Sequence, residues 1–392
     1  MVKISVLPGD GIGAEVTGEA RRVLETIGEL SGHRFEFQYE PIGGNCIDEH
    51  GVAMLPESLP RIKRTAAVLF GAVGGPKWDD PTAPTRPEDG LLAIRKGLGL
   101  YANLRPVRVY GPLADASPLK TPELTSVDII VVRELTGGLY FGKPKRVWDT
   151  ARGRRAVDTN LYTEQEIERV LRVGYELARK RKKKLASVDK ANVLATGRLW
   201  RQVATRMAAE YADVATEHVL VDTCAMRLVT RPQDFDVIVT ENTFGDILTD
   251  EAAVIGGSMG MLPSASLGKG RLGLYEPIHG TAPDIAGKGL ANPLAAILSS
   301  ALLLRYSLSL DEEARLVEHA VERVIEDGLR TADIASGGPS VGTREMADAV
   351  IAAIRAESPQ RRRRRSRPRE EELVGSSNQS SSGPALRVAA AR

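Results

Sequence analysis

The fold of this 392-residue chain is constrained most strongly by the alternation of short apolar runs with longer amphipathic stretches. The mostly apolar run Lys3 to Leu7 precedes Ala14 to Ile27, and the amphipathic stretch Glu164 to Arg181 precedes the run Leu185 to Val188. Short runs rich in β-branched residues predict strands, and apolar residues at helical spacing predict helices. The alternation therefore predicts an α/β fold, in which helices cover a sheet.

Length and composition indicate a soluble enzyme of two domains, with 42% hydrophobic and only 5% aromatic residues. The apolar run Ile4 to Leu7 is too short for a signal peptide, and Pro293 to Leu304 is too short to span a bilayer. The two cysteines, Cys46 and Cys224, match no metal or disulfide motif and indicate a reducing compartment. We therefore expect a cytoplasmic protein that does not enter a membrane.

The last segment, Ser358 to Arg392, differs in composition from the rest of the chain. Its nine arginines and three glutamates carry +6, so the total charge of +2 leaves −4 on the preceding residues. The consecutive Arg361 to Arg365 and the polar stretch Ser376 to Ser382 predict disorder. An RNA-, DNA- or lipid-binding protein is the alternative class of function that such a tail offers. Because no stacking aromatic residue or groove-reading motif accompanies it, we interpret the tail as an extension without a nucleic-acid partner.

The opening segment Pro8 to Glu15, PGDGIGAE, follows a predicted strand and begins a predicted helix. Gly9, Gly11 and Ala14 formally fit the dinucleotide-binding pattern. Glycine is also needed wherever a backbone bends tightly or takes positive φ, so the segment alone leaves both interpretations open. A second Pro- and Gly-rich segment, Val73 to Gly90, predicts a long loop.

Two carboxylates, Asp246 and Asp250, lie four residues apart after a largely apolar run that ends at Val239. If Phe244 to Asp250 begins a helix, both carboxylates face the same side. Like charges this close need a positive charge between them, and oxygen ligands without Cys or His favour a hard cation such as Mg2+ or Mn2+. The alternative for an isolated acidic pair is a helix cap beside a solvated surface carboxylate.

Three arginines, a tyrosine and a lysine fall in segments that predict a binding site. Each of Arg95, Arg105 and Arg133 is by itself typical of an ion-paired surface residue, but together they can clamp a di- or tricarboxylate. Tyr140 lies in a Gly-rich turn, where its hydroxyl either faces a ligand or packs in the core. Lys190 follows a predicted strand, where ligands collect in α/β proteins, and can serve there as a general base.

Eight segments carry a resemblance to a known family, and they stand in this order: GDGIGAEV, GGPKWDD, GLLAIRKGLGLYANLRP, VVRELTGGLYFG, SVDKANVL, TFGDILTDEAA, GSMGMLPSASLG and EPIHGTAPDIAGKGLANP. From residue 2 to about residue 355 the chain resembles the isocitrate/isopropylmalate dehydrogenase family of β-decarboxylating dehydrogenases. The resemblance implies the two-domain α/β fold of that family, with a cleft, rather than a Rossmann fold with a dinucleotide fingerprint. It also implies a metal-requiring, NAD-dependent enzyme that acts on a 2-hydroxy dicarboxylate.

The resemblance assigns roles to the residues singled out above. The family's substrate-carboxylate arginines match Arg95, Arg105 and Arg133. Its acid and base match Tyr140 and Lys190, and its Mg2+ or Mn2+ ligands match Asp222, Asp246 and Asp250. Asp222 is also expected to contact the substrate, and one of the three carboxylates is expected from a partner subunit. The implied assembly is therefore a homodimer with shared active sites.

The residues around the substrate's side group match Glu88, Leu91, Leu92 and Val193. Leu91 and Leu92 make this pocket apolar, as an isopropyl group requires, whereas a third substrate carboxylate would need hydroxyl or amide groups. The implied reaction is the oxidative decarboxylation of 3-isopropylmalate to 4-methyl-2-oxopentanoate and CO2 in leucine biosynthesis. A related enzyme for D-malate, tartrate or homoisocitrate is the alternative within the family.

The resemblance implies that NAD does not bind at the opening glycines. It implies instead that these glycines form a structural turn. The family's adenosine-binding loop matches His279, Gly280, Thr281, Ala282, Pro283, Asp284, Ile285, Ala286, Gly287 and Asn292. Asp284 matches the position that selects NAD, because a carboxylate accepts hydrogen bonds from the ribose hydroxyls and repels a 2′-phosphate. His279 and Asn292 are expected to flank the adenine.

The family's architecture implies a discontinuous cofactor-binding domain, residues 1–100 plus 257–356. The inserted residues 101–256 would form the dimerisation and metal-binding domain, and the tail would occupy residues 357–392. One local departure lies at Glu241 to Thr243, where neutral residues are expected. Glu241 therefore adds an acid close to the predicted metal ligands.

Overall fold

A computed structural model describes residues 1–80, 82–119 and 123–357. The basic tail predicted for residues 357–392 lies outside the described residues except for Glu357, which ends the last helix.

Strands and helices alternate along most of the described chain. The strands are β1 (Val2–Gly9), β2 (Phe35–Tyr39), β3 (Ala67–Ala72), β4 (Ala102–Arg108), β5 (Asp128–Glu134), β6 (Arg146–Thr150), β7 (Gly153–Val157), β8 (Lys184–Asp189), β9 (Ala215–Leu220), β10 (Val237–Thr240), β11 (Pro263–Leu267) and β12 (Leu274–Pro277). The helices are α1 (Gly13–Ser31), α2 (Gly44–His50), α3 (Ser58–Ile62), α4 (Pro87–Gly97), α5 (Glu164–Arg179), α6 (Ala195–Glu210), α7 (Val221–Thr230), α8 (Asn242–Ile255), α9 (Leu294–Tyr306), α10 (Asp311–Glu326) and α11 (Thr343–Glu357). The predicted α/β fold is confirmed.

Ten of the strands form one sheet, in the order β2-β1-β3-β12-β11-β4-β5-β10-β8-β9. Strands at each end of the sheet are parallel, whereas β11 and β4 run antiparallel to their neighbours in the middle. Strands β5, β10 and β8 are parallel neighbours, so their carboxyl ends meet at one edge. The remaining two strands, β6 and β7, form a separate antiparallel hairpin whose side chains are exposed or half-buried.

The two ends of the sheet are built from different parts of the chain. Residues before about 100 build one end, the next strands build the other, and β11 and β12 return to the first. Separate apolar clusters form around Phe70 at the first end and around Ile238 at the second, while a larger cluster includes residues from both, such as Ile27 and Tyr175. The division into domains 1–100 plus 257–356 and 101–256 is consistent with this path and stays a proposal.

Helix α9 explains the longest apolar stretch of the sequence. Every residue from Leu294 to Leu304 is buried, and the helix packs between α1, α10 and strands of the sheet. Among the residues that the structure describes, no helix is long and apolar enough to cross a membrane.

The loop predicted over Val73 to Gly90 ends earlier than the sequence suggested. Helix α4 begins at Pro87, and the Arg86 backbone N–H donates to the Asp89 carboxylate at 2.8 Å. Proline suits the first helical position because its fixed φ is helical and it needs no N–H partner there. Pro87 therefore begins a helix, and the prediction of a loop through Gly90 was wrong at this end.

Candidate active site

The candidate site lies at the strand edge where β5, β10 and β8 end. Arg133 is the penultimate residue of β5, Lys190 follows β8, and Glu241 follows β10. Helix α8, which begins directly after Glu241, carries Asp246 and Asp250. The parallel pairing of these strands therefore brings together segments that are far apart in sequence.

Arg133 is held almost completely inside the protein, with 2% of its surface exposed. Its Nε and Nη2 atoms donate to Asn242 Oδ1 at 3.1 and 2.8 Å, and its Nη1 atom donates to Asp246. Burial, together with the nearby positive charge of Arg105, lowers the pKa of Arg133 to about 10. The guanidinium stays protonated at neutral pH and faces the carboxylates of α8.

Arg105 reaches two of the three predicted metal ligands, Asp246 and Asp250, from the middle of β4. Its guanidinium nitrogens lie 3.6 Å from Asp246 and 3.6 Å from Asp250. Neutral groups hold the rest of the guanidinium, because its Nε donates to Asn103 Oδ1 at 2.7 Å and its Nη1 donates to Thr249. The prediction that Asp246 and Asp250 face one side of a helix is confirmed.

Arg95 completes a cluster of three mutually repelling guanidinium groups. It projects from α4, is 9% exposed, and donates to Glu276 Oε1 at 2.8 Å. Burial lowers the pKa of Arg105 and of Arg133, and the positive charge of Arg95 repels theirs and lowers each pKa further. The buried Nε of Arg95 has no protein partner. A concentration of buried positive charge with an unused donor suits an anionic ligand, and guanidinium forks suit carboxylates in particular.

The two carboxylates of α8 differ in their electrostatic environment. Burial acts to raise the pKa of Asp246, but Arg133 and Arg105 outweigh it and hold that pKa below its usual range. Burial raises the pKa of Asp250, against a weaker opposing effect of Arg105. Asp246 is therefore the more firmly ionised of the two and the stronger candidate anchor for a cation.

Tyr140 reaches Asp246 from a tight turn after β5. Its hydroxyl donates to Asp246 Oδ2 at 2.8 Å, and burial followed by this hydrogen bond raises the pKa of Tyr140. Glycine is required in the turn at Gly142, where a Cβ would lie only 1.8 Å from the Thr159 carbonyl oxygen. The tyrosine is 36% exposed, so its hydroxyl faces the site and the alternative of a packed core residue does not hold.

Lys190 and Asp222 form a pair of their own. Lys190 Nζ lies 2.5 Å from Asp222 Oδ1, and this hydrogen bond lowers the pKa of Asp222. Neither side chain is buried as the arginines are, since 27% of Lys190 and 56% of Asp222 is exposed. The predicted base and one predicted metal ligand thus point outward together, while the other two ligands contact the arginines.

The predicted metal ligands are therefore divided within one chain. Asp246 and Asp250 supply the oxygen donors that a hard divalent cation prefers. Across the part of the chain that the structure describes, no three His, Cys, Asp or Glu side chains are grouped so that they could hold a metal ion. The donor chemistry of Asp246 and Asp250 fits a hard divalent cation, and Asp222 lies apart from them in the chain.

A cavity of about 210 Å3 joins Arg95 and Arg105 to the predicted side-group pocket and cofactor loop. It is lined by Glu88, Leu91, Arg95, Arg105, His279 and Gly280, among others. Leu92 is half-buried outside this lining, and Val193 is 63% exposed on the loop after Lys190. Two of the four predicted side-group residues, Glu88 and Leu91, are thus beside the arginines, while Val193 lies with Lys190.

The predicted cofactor loop, His279 to Asn292, is open to solvent along much of its length. Asp284 is exposed on this loop. Burial lowers the pKa of His279, whose Nε2 atom has no protein partner. Asn292 is 6% exposed, and its side chain bonds Asp333 and the Leu294 N–H at 3.0 Å. Asn292 is therefore built into the base of the loop.

The opening glycine turn supports this loop from beneath. Gly11 has a φ of 54°, and a Cβ there would lie 2.1 Å from the Thr281 carbonyl oxygen. The Ile12 N–H donates to the same oxygen at 2.8 Å, and the Glu15 carboxylate accepts from the N–H groups of Gly287 and Gly289. These contacts account for PGDGIG as a structural turn.

Glu241, the unexpected acid, is the N-terminal cap of α8. Its carboxylate accepts from the Phe244 N–H at 2.7 Å and from the Tyr162 hydroxyl at 3.2 Å. Burial raises the pKa of Glu241, which is 6% exposed. It supports the start of the helix that carries Asp246 and does not contact that carboxylate.

Sequence reasoning did not identify the residues that hold the arginines. These are Asn103, Asn242, Thr249 and Glu276. Asn242 and Thr249 lie four residues before and three residues after Asp246, so their proximity to the predicted ligands was a usable signal. Glu276 begins the segment EPIHGTAPDIAGKGLANP, but its proximity to Arg95 depends on the pairing of β12 with β3 and β11.

Comparisons with known proteins agree with the geometry. A family model described as isocitrate/isopropylmalate dehydrogenase matches residues 3–350. A 3-isopropylmalate dehydrogenase of Anaeromyxobacter dehalogenans is 59% identical over 350 residues, which are 89% of this chain and 98% of that protein. One from Geobacillus kaustophilus is 57% identical over 354 residues, covering 90% and 95% of the two chains.

The fold also matches a solved structure. The crystal structure of isocitrate dehydrogenase from Methylococcus capsulatus has a TM-score of 0.80 and 33% identity, and the match covers 91% of this chain and 100% of that one. The chain therefore belongs to the isocitrate/isopropylmalate dehydrogenase family.

Proposed function

We propose that this protein catalyses the NAD-dependent oxidative decarboxylation of 3-isopropylmalate, a step of leucine biosynthesis. One observation carries the proposal: Arg95 and Arg105 share a cavity with the apolar side chain of Leu91. Such a cavity fits a molecule that has carboxylates at one side and a branched hydrocarbon group at the other. The curated relatives with 54–59% identity carry the name of this activity.

The arginines bind and orient the substrate. Arg95, Arg105 and Arg133 would contact its two carboxylates, and their buried positions limit the geometries that the bound acid can take. Fixing the reacting groups in this way removes much of the entropic cost of the reaction. Leu91 would contact the isopropyl group, and a more polar side group would lose hydration there without gaining a partner.

Lys190 is proposed to accept the proton of the C2 hydroxyl as that carbon is oxidised. Lys190 must be the neutral amine to accept that proton, and Asp222 Oδ1, 2.5 Å from Nζ, fixes its direction and would stabilise the ammonium that forms. When bound, NAD+ would supply the hydride acceptor. A divalent cation would supply positive charge beside the substrate oxygens. It would be held by Asp246 and Asp250 of one chain and by Asp222 of the partner subunit. The resulting 2-oxo acid still carries its C3 carboxylate.

Tyr140 is proposed to supply the last proton. Loss of CO2 leaves the electron pair of the broken C3–carboxylate bond as an enolate, which needs a proton at C3. The Tyr140 hydroxyl faces the site through its hydrogen bond to Asp246, so it is positioned as a donor. The product is then 4-methyl-2-oxopentanoate.

A homodimer would bring the two halves of the site together. Helices α7 and α8 pack on each other and expose Met226, Val229, Ile247 and Val254, which are 61%, 45%, 63% and 53% accessible. Spacings of three and seven residues keep each pair on one helix face, and such apolar faces mark interfaces. The same helices carry Asp222, Asp246 and Asp250.

The exposed hairpin supports the same assembly. Val147, on β6, is 57% exposed, and the two strands pair only with each other in the structure. A two-stranded hairpin is marginally stable alone in water, so we propose that it packs against a second subunit. The dimer proposed here would use the faces of α7 and α8 and this hairpin.

NAD is the proposed cofactor, bound along the His279 to Asn292 loop. The exposed Asp284 would accept hydrogen bonds from ribose hydroxyls and repel the 2′-phosphate of NADP. We place the reaction in the cytoplasm, in keeping with the two unpaired, buried cysteines, Cys46 and Cys224.

The test is NADH or NADPH formation by the purified protein with Mg2+ and, separately, 3-isopropylmalate, isocitrate, D-malate and tartrate. We expect 3-isopropylmalate with NAD+ to give a kcat/KM about a hundredfold or more above the other pairs. D-malate and tartrate lack the isopropyl group that fills the apolar pocket, and isocitrate would bury a third carboxylate there. Preference for D-malate or tartrate would be compatible with the proposed mechanism but would contradict the assignment of 3-isopropylmalate as the substrate. Absence of turnover with all four acids would refute the proposed reaction.

A further inference from the structure

We propose that Asn242 is a positioning residue, which orients Arg133 and secures the Tyr140 turn while leaving the guanidinium charge available to the substrate. The inference rests on the proposed function, because it assigns the purpose of a contact in that active site. Asn242 is the first residue of α8 and is 1% exposed. It therefore acts only through the groups that touch it.

The amide oxygen of Asn242 holds one edge of the guanidinium. It accepts from Arg133 Nε at 3.1 Å and from Arg133 Nη2 at 2.8 Å. A guanidinium held along one edge cannot rotate about its terminal bonds, so its other N–H groups keep a fixed direction. These remaining donors face Asp246 and the Tyr140 ring, whose centre lies 5.7 Å from the guanidinium carbon.

The amide nitrogen of Asn242 reaches the turn that carries Tyr140. It donates to the Gly137 carbonyl oxygen at 3.2 Å, three residues before Tyr140. One side chain thus joins the substrate-binding arginine to the turn of the proposed acid. A hydroxyl or a carboxylate could not make both contacts, because the oxygen must accept twice while a separate atom donates.

The lack of charge on Asn242 matters as much as its shape. Arg95 donates to the carboxylate of Glu276 at 2.8 Å, whereas Arg105 donates to the neutral side chains of Asn103 and Thr249. The carboxylates of α8 lie farther from Arg105, at 3.6 Å. Arg133 follows the pattern of Arg105, since its Nε and Nη2 donate to a neutral amide and its Nη1 donates to Asp246. A carboxylate in place of this amide would compensate the guanidinium and weaken its attraction for a substrate carboxylate.

The backbone around Asn242 is fixed independently of its side chain. The Asn242 N–H donates to the Tyr162 hydroxyl at 3.0 Å, and that hydroxyl donates to Glu241. Because Glu241 caps the helix, a change confined to the Asn242 side chain should leave α8 in place. Positioning can therefore be measured separately from helix formation.

The test compares Asn242→Asp and Asn242→Ala with the unmodified full-length protein. We expect Asn242→Asp to raise the KM for 3-isopropylmalate about tenfold to a hundredfold, because a charge-assisted contact to substrate is weakened, while the KM for NAD+ stays within about twofold. Asn242→Ala should raise the same KM to a smaller extent, since it frees the guanidinium without adding charge. Gln202→Glu, at an exposed position of α6, controls for net charge.

Each outcome decides the inference. A selective rise in the substrate KM, larger for aspartate than for alanine, supports it. Unchanged KM in both variants overturns it, as does a parallel rise in both KM values with a lower melting temperature, or failure of both variants to fold, since these indicate a purely structural role. If the unmodified protein neither oxidises nor, by calorimetry, binds 3-isopropylmalate, the proposed function fails and the inference falls with it.

Discussion

Lys190→Met is expected to lower kcat with 3-isopropylmalate by about a thousandfold or more, because general-base catalysis contributes up to roughly four orders of magnitude. Methionine keeps much of the length and flexibility of lysine but can neither accept a proton nor pair with Asp222. The loss should lie mainly in kcat, because the substrate carboxylates are bound by the arginines. Steady-state NADH formation at saturating substrate measures the effect.

Lys184→Met provides the matched control for this variant. Lys184 is exposed at the start of β8, the strand that precedes Lys190, so the control removes the same charge nearby. Activity of the control should equal that of the unmodified enzyme. A Lys190→Met enzyme that retains more than about one tenth of its kcat would contradict the assignment of Lys190 as the base.

Tyr140→Phe should impair decarboxylation and protonation more than hydride transfer. Phenylalanine keeps the ring beside Arg133 and loses only the hydroxyl that donates to Asp246 at 2.8 Å. Removing a general acid typically costs about a hundredfold or more in the step that it serves. We therefore expect a single turnover to give NADH at a rate close to normal and 4-methyl-2-oxopentanoate about a hundredfold more slowly.

The two half-reactions can be followed separately in rapid-mixing experiments, by NADH absorbance and by quenched-flow analysis of the product. Tyr39→Phe, at a 53% exposed position on β2, is the control for loss of a tyrosine hydroxyl. Equal retention of both half-reactions would remove Tyr140 from the protonation step. A loss confined to hydride transfer would reverse the order of roles proposed for Tyr140 and Lys190.

Local sequence pattern was sufficient for most of the elements that position the site. The spacing of Asp246 and Asp250 predicted a shared helix face, and both contact Arg105 in the structure. The run before Lys190 predicted β8, which ends at Asp189. These predictions succeeded because helix and strand periodicity depend on neighbours within one or two turns.

Contacts between distant segments could not be predicted in the same way. The antiparallel strands β4 and β11, which join the two ends of the sheet, and the pairing of Arg95 with Glu276 depend on residues more than a hundred positions apart. The pairing of Lys190 with Asp222 depends on the packing of β8 beside β9 and α7. Periodicity does not encode which strands become neighbours, so this information comes only from the folded chain.

We propose that each active site combines Lys190 and Asp222 from one subunit with the arginines, Tyr140 and Asp246 of the other. The most direct measurement is the activity of hybrid dimers formed from Lys190→Met and Asp246→Asn chains, each inactive as a homodimer. A hybrid has one site that carries both substitutions and one that carries neither, so random mixing should restore about one quarter of the unmodified activity. Isolated hybrids that stay inactive would show that the site lies within a single chain.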